Sequence, residues 1–95
     1  MVNSYESIFI INPNLEEEAT KSVVEKFKGL IESTGKVESI EEWGKRKLAY
    51  PIKKLNEGYY VLINFNADSS FTHELERIYK ITDEVIKYIV LKKGE

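Results

Sequence analysis

A short basic segment offers the clearest chemistry in this 95-residue chain. Between Trp43 and Lys54 the sequence carries five positive charges and no negative charge, although the net charge of the whole chain is −2. The positive residues are Lys45, Arg46, Lys47, Lys53 and Lys54. Lysine and arginine neutralise phosphates, while the rings of Trp43 and Tyr50 can stack on bases or on a partner protein. The segment is therefore either a nucleic-acid contact or a hairpin whose charges only protect a sheet edge.

The spacing of the charges decides which of them can act together. Side chains alternate along a strand, so Lys45 and Lys47 share one face and Arg46 takes the other. The guanidinium fork of Arg46 suits phosphate best. All three charges reach one phosphate path only if Gly44 bends the strand, and otherwise Arg46 serves a partner or an acidic neighbour. For Tyr50 we expect core packing rather than stacking on RNA.

Catalytic groups are scarce in this sequence. The chain has no cysteine, which excludes a disulfide scaffold, a thiolate zinc site and a cysteine nucleophile. The single histidine, His73, has no partner suited to acid–base catalysis and is expected on the exposed side of a helix. Glu41 and Glu42 are neighbours on a strand, so their side chains point to opposite faces. We predict no enzyme activity, no metal, no cofactor and no small-molecule substrate.

Length and composition indicate one domain, residues 1–95, with the hydrophobic content of an ordinary globular protein. The sequence shows no signal-peptide pattern and no apolar run near the roughly 18 residues of a membrane span. We therefore expect a cytoplasmic protein without a membrane partner. The pI of about 5.5 is far below the value of about 9 that marks a generally basic RNA-binding domain. Any RNA contact must then come from a local patch.

The elements that position these residues follow from the spacing of apolar side chains. Strands are predicted in four β-branched, apolar runs, namely Tyr5–Asn12, Val37–Ile52, Tyr59–Asn66 and Val85–Leu91. Apolar residues three or four positions apart predict one helix over Leu15–Ile31 and a second over Phe71–Tyr79. The order predicts an α+β, ferredoxin-like βαββαβ sandwich, with a four-stranded antiparallel sheet and two helices on one face.

Polar residues and glycines predict where these elements begin and end. Asn14 is expected to cap the first helix with Glu17 as reciprocal acceptor, and Gly35 is expected to close it. Asp68, Ser69 and Ser70 are the capping candidates for the second helix.

Glycine, proline and asparagine residues predict irregularities in the long second strand and in the turn that follows it. A bulge is expected at Gly44, and Pro51 places its end of the strand at a sheet edge or in a turn. The turn that follows is predicted at Lys54–Gly58, because Asn56 and Gly58 tolerate unusual backbone angles. Lys92–Glu95 is predicted to be a short tail.

The first strand has two faces with different expectations. Phe9 should share the core face with Tyr5 and Ile11, which leaves Ile8 and Ile10 on the open face with Glu6. Two isoleucines there, with apolar residues from other strands, would form a larger apolar patch than a monomer usually exposes. Either long neighbouring side chains cover this patch, or it contacts another protein.

Two other classes of protein fit this element order. Ile8–Asn12 resembles the first-strand signature of RNA-recognition motifs, which stack bases on the open sheet face. The third strand matches the corresponding signature only at Gly58 and Tyr59, since Val61 and Asn64 stand where stacking aromatic residues are needed. The other class is a ferredoxin-like module that senses a ligand or oligomerises between paired sheets.

The order of residues in the basic segment resembles a known family. The second strand of the bacterial small-subunit ribosomal protein S6 family carries a similar run, Gly-x-Arg-Arg/Lys-Leu-Ala-Tyr-Pro-Ile, where this chain has Gly44–Ile52. The family has a lysine or arginine where this chain has Lys47. The likeness extends from Tyr5-Glu6 and Asn12–Leu15 through Gly58-Tyr59 to the last strand, and so covers nearly the whole chain.

This resemblance implies a structural component of the small ribosomal subunit in the cytoplasm. It further implies binding to the central domain of small-subunit rRNA together with small-subunit ribosomal protein S18, a basic partner that would complement an acidic surface. The candidate RNA contacts are then Lys45, Arg46, Lys47, Lys53, Lys54, Lys92 and Lys93. The candidate partner contacts are Ile8, Ile10 and Trp43.

Overall fold

Four strands and two helices follow one another in the predicted order. The computed structural model describes residues 2–93. Its elements are β1 (Val2–Ile11), α1 (Glu17–Glu32), β2 (Lys36–Ile52), β3 (Leu55–Asp68), α2 (Ser69–Ile81) and β4 (Val85–Lys92). The strands form one antiparallel sheet in the order β2-β3-β1-β4, which confirms the ferredoxin-like fold. Lys92 still belongs to β4, and the last two residues of the predicted tail lie outside the described residues.

The main core lies between the helices and one face of the sheet. Phe9 is fully buried there, with Tyr5 and Ile11, as predicted from the alternation along β1. Its ring centroid lies 5.2 Å from that of Phe27 on α1 and 5.1 Å from that of Tyr79 on α2. One aromatic cluster therefore joins both helices to the central strand.

The ends of α1 differ from the prediction. The helix begins at Glu17, and its N-cap residue Glu16 makes no side-chain capping hydrogen bond. Asn14 lies in the preceding loop, where its backbone N–H donates to the side-chain oxygen of Asn12 at 2.9 Å, so the predicted Asn14 cap is wrong. The C-cap is Ser33, not Gly35. A side chain at Gly35 would collide with the backbone oxygen of Asn66, and close chain approach is what requires glycine there.

Asp68 caps α2 as predicted. Its carboxylate accepts the backbone N–H of Ser70 at 3.0 Å. This hydrogen bond, with a second one from the Ser70 hydroxyl, favours the charged carboxylate and helps to lower the pKa of Asp68 to about 2.

The turn between β2 and β3 is tighter than predicted. Ile52 pairs with Leu55, so Lys53 and Lys54 form a two-residue loop in which both have positive φ, 51° and 66°. These values are typical of a type I′ hairpin turn. The predicted turn at Lys54–Gly58 is therefore wrong for most of its length, since β3 already begins at Leu55. Gly58 lies within β3, where a side chain would collide with Ile10.

The pairing of β2, an edge strand as Pro51 indicated, shifts register three times, and two of these irregularities lie in the half of the strand that leads to the turn. The predicted bulge is confirmed, since the register shifts between Glu42 and Gly44, and Gly44 has a φ of 80°. The second irregularity is larger. The pair that follows Lys47–Glu57 is Ile52–Leu55, so the segment Leu48–Pro51 stands opposite a single residue of β3. The extra length lets Leu48 turn inward onto the open face of the sheet.

Candidate RNA interface

The β2–β3 hairpin extends past the end of the central strand. Ile11, the last residue of β1, pairs with Tyr59, and Tyr59 also pairs with Lys45. From Lys45 to Tyr59 the paired strands β2 and β3 therefore extend past the last residue of β1 as a two-stranded arm, in which Leu48 folds back over Ile10. We refer to residues 45–59 as the basic arm. It contains all five positive charges of the segment that the sequence singled out.

The charges of the basic arm lie on both of its faces, as the alternation predicted. Lys45 and Lys47 stand opposite Tyr59 and Glu57 on the side of the helices. The Arg46 side chain lies on the open-face side. Its guanidinium carbon is 5.8 Å from the centroid of the Trp43 ring.

The charges of the arm are available to an external anion. Lys45, Arg46 and Lys47 are exposed, as are Lys53 and Lys54 at the tip. Within residues 2–93, none of the five forms an ion pair with a carboxylate; the ion pairs found there are Lys21–Glu17 and Arg77–Glu74. The arm can therefore neutralise phosphates without first breaking an internal salt bridge.

The two remaining candidate RNA contacts lie elsewhere. Lys93 donates from its backbone N–H to the carbonyl of Ser4 and from Nζ to Oδ1 of Asn64 at 2.9 Å. Asn64 is seven residues from Glu57 along β3, a span of roughly 23 Å at the usual rise of a strand. Lys92 and Lys93 therefore sit at the opposite end of the sheet from the arm. Of the seven candidate RNA contacts, the five on the basic arm lie together, and Lys92 and Lys93 lie apart from them.

The open face of the sheet carries a second, smaller core. Leu48 folds over Ile10 and Ile86, and Ile10 is only 6% exposed. Ile8 is half-buried, and Trp43 is 39% exposed. Of the three predicted partner contacts, Ile8 and Trp43 thus reach the surface, while Ile10 supports them from below.

A shallow apolar pocket lies beside this small core. It has a volume of about 200 Å³, and its walls include Ile8, Trp43, Tyr60, Lys87 and Ile89. The rings of Trp43 and Tyr60 are stacked with centroids 6.2 Å apart. The exposed apolar side chains Ile89 and Leu91 continue the patch along β4.

The expectation of core packing for Tyr50 is wrong. Leu48 and Ile52 on either side of it both pack in the small core, but the Tyr50 side chain stays outside that core and is 58% exposed. Its hydroxyl accepts a hydrogen bond from Nζ of Lys87 at 2.7 Å, and the same ammonium group lies 5.1 Å from the ring centroid. Tyr50 is therefore an exposed aromatic side chain held in place by a cation on β4.

Sequence reasoning missed a groove on the helix side of the basic arm. Its walls are the arm and the loop between β1 and α1, and its volume is about 450 Å³. We call it the hairpin groove; its lining includes Pro13, Asn14, Lys47, Lys54, Asn56 and Glu57. A neighbouring depression of about 360 Å³ shares Pro13 and contains Lys45. No local sequence pattern predicts this groove, because its two walls come from distant parts of the chain.

The neighbouring depression holds a polar pair. The hydroxyl of Tyr59 donates to the Glu42 carboxylate at 2.7 Å. This hydrogen bond to a carboxylate, with some burial, raises the pKa of Tyr59 to about 12. Glu17 in the same depression forms its ion pair with Lys21. Two of the acidic groups near Lys45 are thus already engaged by other side chains.

Residues 2–93 contain no group of three or more histidine, aspartate and glutamate side chains arranged to hold a metal ion. His73 is exposed on α2, as predicted. None of the helices in this part of the chain has both the length and the apolar character needed to cross a membrane.

Comparison with known proteins identifies a family. Residues 4–92 match the family model described as ribosomal protein S6. The small ribosomal subunit protein bS6 of Clostridium novyi (strain NT) is 57% identical over 91 residues, which cover 95% of this chain and 96% of that protein. The protein of the same name from Thermoanaerobacter pseudethanolicus is 53% identical over 95 residues, covering 99% of this chain and the whole of that protein.

A solved structure shows the same likeness in three dimensions. The crystal structure of 30S ribosomal protein S6 from Thermotoga maritima superposes with a TM-score of 0.93 at 42% sequence identity. The match covers 98% of this chain and 89% of that one. The fold, the order of residues in the basic arm and these relatives agree, and the chain belongs to the ribosomal protein S6 family.

Proposed function

We propose that the chain binds the central domain of small-subunit rRNA together with small-subunit ribosomal protein S18. Its family consists of structural components of the small ribosomal subunit, which places it in the ribosome in the cytoplasm and not among the enzymes. The proposal adds to this role a specific RNA contact, the basic arm, and a specific protein contact, the open face of the sheet.

The basic arm is the observation that carries the RNA contact. A chain of net charge −2 places five cations on one projecting hairpin and leaves them without ion pairs among residues 2–93. Self-repulsion between neighbouring cations costs free energy, and phosphates bound along the arm offset that cost. Lys92 and Lys93, at the far end of the sheet, are assigned a separate and weaker contact.

The apolar patch on the open face supports the protein contact. Ile8 and Trp43 border the pocket there, Ile10 lies beneath it, and Ile89 and Leu91 extend the exposed apolar surface. Apolar side chains grouped in this way are typical of the core of a protein–protein interface. Arg46 lies against Trp43 at the edge of this patch and is assigned to the boundary between RNA and partner.

The arrangement disfavours base stacking of the kind used by RNA-recognition motifs. Phe9 and Val61 are fully buried, and Asn64 is bonded to Ser39 and Lys93. The Leu48–Pro51 segment also covers one end of the open face, where a base or a second sheet would have to pack.

The RNA contact can be tested with a fragment of the rRNA central domain. Affinity is measured across salt concentrations, with and without S18. Replacing Lys45 and Lys47 by alanine should flatten the slope of log affinity against log salt by up to about two, because two phosphate contacts are lost. Lys28→Ala/Lys80→Ala, which removes two cations from the helices, is the matched control. An unchanged slope in the first variant would remove both lysines from the RNA site.

A further inference from the structure

The hairpin groove brings a donor from a distant part of the chain beside the donors of the basic arm. Lys47 and Lys54 line it from the arm, and Asn56 adds an amide from the same side. Asn14 faces them across the groove from the loop between β1 and α1. Ammonium and amide groups are the donors that proteins commonly direct at phosphate and sugar oxygens. Glu57 also lines the groove, so two cations outnumber one carboxylate there.

The second wall is held in place before any ligand arrives. Pro13 is buried, and the side-chain oxygen of Asn12 accepts the backbone N–H of Asn14 at 2.9 Å. The backbone N–H of Asn12 in turn donates to the carbonyl of Glu84 at 2.8 Å. The Asn14 side chain is exposed, and these contacts hold the backbone that carries it. A wall prepared in this way costs little entropy when a ligand binds.

We propose that the sugar–phosphate backbone of one RNA strand lies in the hairpin groove, with Asn14 as a contact on its second wall. The proposal rests on the proposed function and locates the RNA on the helix side of the basic arm. Lys47 and Lys54 then neutralise phosphates of this strand, and Lys45, on the same face two residues from Lys47, continues the path. Arg46 points to the opposite face and lies outside it.

A charge placed on the second wall separates this proposal from binding by the arm alone. Asn14→Asp puts a carboxylate into the groove without altering the arm. It is expected to weaken binding of the rRNA central-domain fragment roughly threefold to tenfold at low salt, and less at high salt. Ser69→Asp is the matched control, because it adds the same charge at the first residue of α2, at the end of the sheet away from the hairpin groove. It should leave the affinity unchanged.

Neither substitution should change the stability of the fold, so a change in affinity reports on RNA binding. Among residues 2–93 the Asn14 side chain forms no hydrogen bond, only its backbone N–H does, and a negative charge just before α1 is favourable for the helix. The melting temperatures of both variants are therefore expected to match that of the parent chain. The smaller neutral replacement Asn14→Ser removes the amide without adding a charge and should weaken binding less than Asn14→Asp.

The measurements distinguish failure of the hairpin groove as the RNA site from failure of the basic arm as an RNA contact. If Asn14→Asp and Ser69→Asp bind equally well while Lys47→Ala binds weakly, the arm contacts RNA and the groove does not, and the inference is overturned. If Lys47→Ala also binds normally, the proposed RNA contact itself is wrong.

Because the chain has no cysteine, an RNA-cleaving reagent can be attached to Asn14→Cys or Lys47→Cys, and both should cut the same RNA segment. Cuts in unrelated segments would overturn the shared groove.

Discussion

The two lysines at the tip of the hairpin adopt a backbone conformation that lysine seldom occupies. Lys53 and Lys54 have φ values of 51° and 66° in a type I′ turn, for which asparagine and glycine are the preferred residues. A left-handed conformation costs a non-glycine residue about 1 kcal/mol. The chain therefore keeps charge at the tip at the expense of local stability.

We predict that Lys53→Asn/Lys54→Gly raises the free energy of unfolding by about 1 kcal/mol, since both residues then suit the turn. The same variant should bind the rRNA fragment more weakly and with a flatter salt dependence, because two cations are lost. Denaturant unfolding and the salt titration measure the two effects. Lys53→Arg/Lys54→Arg keeps the charge and should change neither. A double variant that is no more stable than the parent would contradict the assignment of strain.

A buried hydrogen bond between Ser7 and Tyr79 joins β1 to α2. The two hydroxyl oxygens are 2.7 Å apart, and both side chains are fully buried. Removing one partner leaves the other without its hydrogen bond in the core, which costs about 1–3 kcal/mol. Burial also raises the pKa of Tyr79 above the ordinary tyrosine value.

Alkaline unfolding should report on this tyrosine. The unfolded chain releases the Tyr79 proton near pH 10, whereas the folded chain retains it, so stability is lost as pH rises above about 10. Tyr79→Phe should lower the free energy of unfolding by about 1–2 kcal/mol at neutral pH and flatten its decline at alkaline pH. Urea unfolding at several pH values measures both. Some decline should remain, because Tyr59 also has a raised pKa. An unchanged alkaline slope would show that Tyr79 titrates normally.

At the scale of elements, two glycines have opposite roles. Gly44 has a φ of 80° at the bulge of β2, whereas Gly29 lies in α1 with open space around the position of a β-carbon. We predict that Gly44→Ala lowers the free energy of unfolding by about 1 kcal/mol through backbone strain. Gly29→Ala should raise it by about 0.5–1 kcal/mol through the higher helix propensity of alanine. Thermal unfolding of the pair would test both signs, and equal shifts would contradict the prediction.

The order of elements and the face of each strand were predictable because they depend on local spacing. The alternation of side chains along a strand correctly predicted that Phe9, Tyr5 and Ile11 lie in the core. It also correctly predicted that Lys45 and Arg46 lie on opposite faces of the basic arm. The ends of elements were less predictable, because a residue suited to a turn or cap was not always used for one. Asn56 and Gly58 lie in a strand, while two lysines form the turn.

The candidate site was predictable only in part for a related reason. The cations of the arm are adjacent in sequence, and their grouping could be read directly. The second wall of the hairpin groove comes from Pro13 and Asn14, which reach the arm only through the tertiary fold. The outward position of Tyr50 depends on the unusual length of the Leu48–Pro51 segment, for which the sequence has no specific signal.

At the scale of the whole molecule, charge is divided between the two layers. Residues 12–35 and 68–84, which form the helices and their loops, contain ten acidic and five basic residues. The rest of the chain contains six acidic and nine basic residues. The sheet layer, which includes the basic arm, is thus positive and the helix layer negative, so an approaching RNA is attracted to the arm and its groove and repelled by the outer faces of the helices.

Net charge should matter less for binding than this placement. Glu25→Lys/Glu32→Lys reverses two exposed charges on α1 and makes the chain more basic by four units. We expect rRNA affinity to change less than about threefold at moderate salt. Glu25 and Glu32 lie roughly 12 Å and 22 Å along α1 from Glu17, which shares a depression with Lys45, and charges more than about 10 Å apart are largely screened. Lys45→Ala/Lys47→Ala removes only two charges but should weaken binding more. A larger gain from the reversals than the loss from the alanines would contradict the local site.

The irregular pairing of β2 also bears on how copies of this chain behave toward one another. A long outer strand normally offers an unbroken row of backbone donors and acceptors on which an identical strand can grow into a fibre. Here the ladder between β2 and β3 shifts after Val37, Glu42 and Lys47, so no more than four consecutive pairs share one register. An incoming straight strand cannot follow these shifts, and the cations near the tip repel a second tip. The features that shape the arm therefore also oppose aggregation at high concentration.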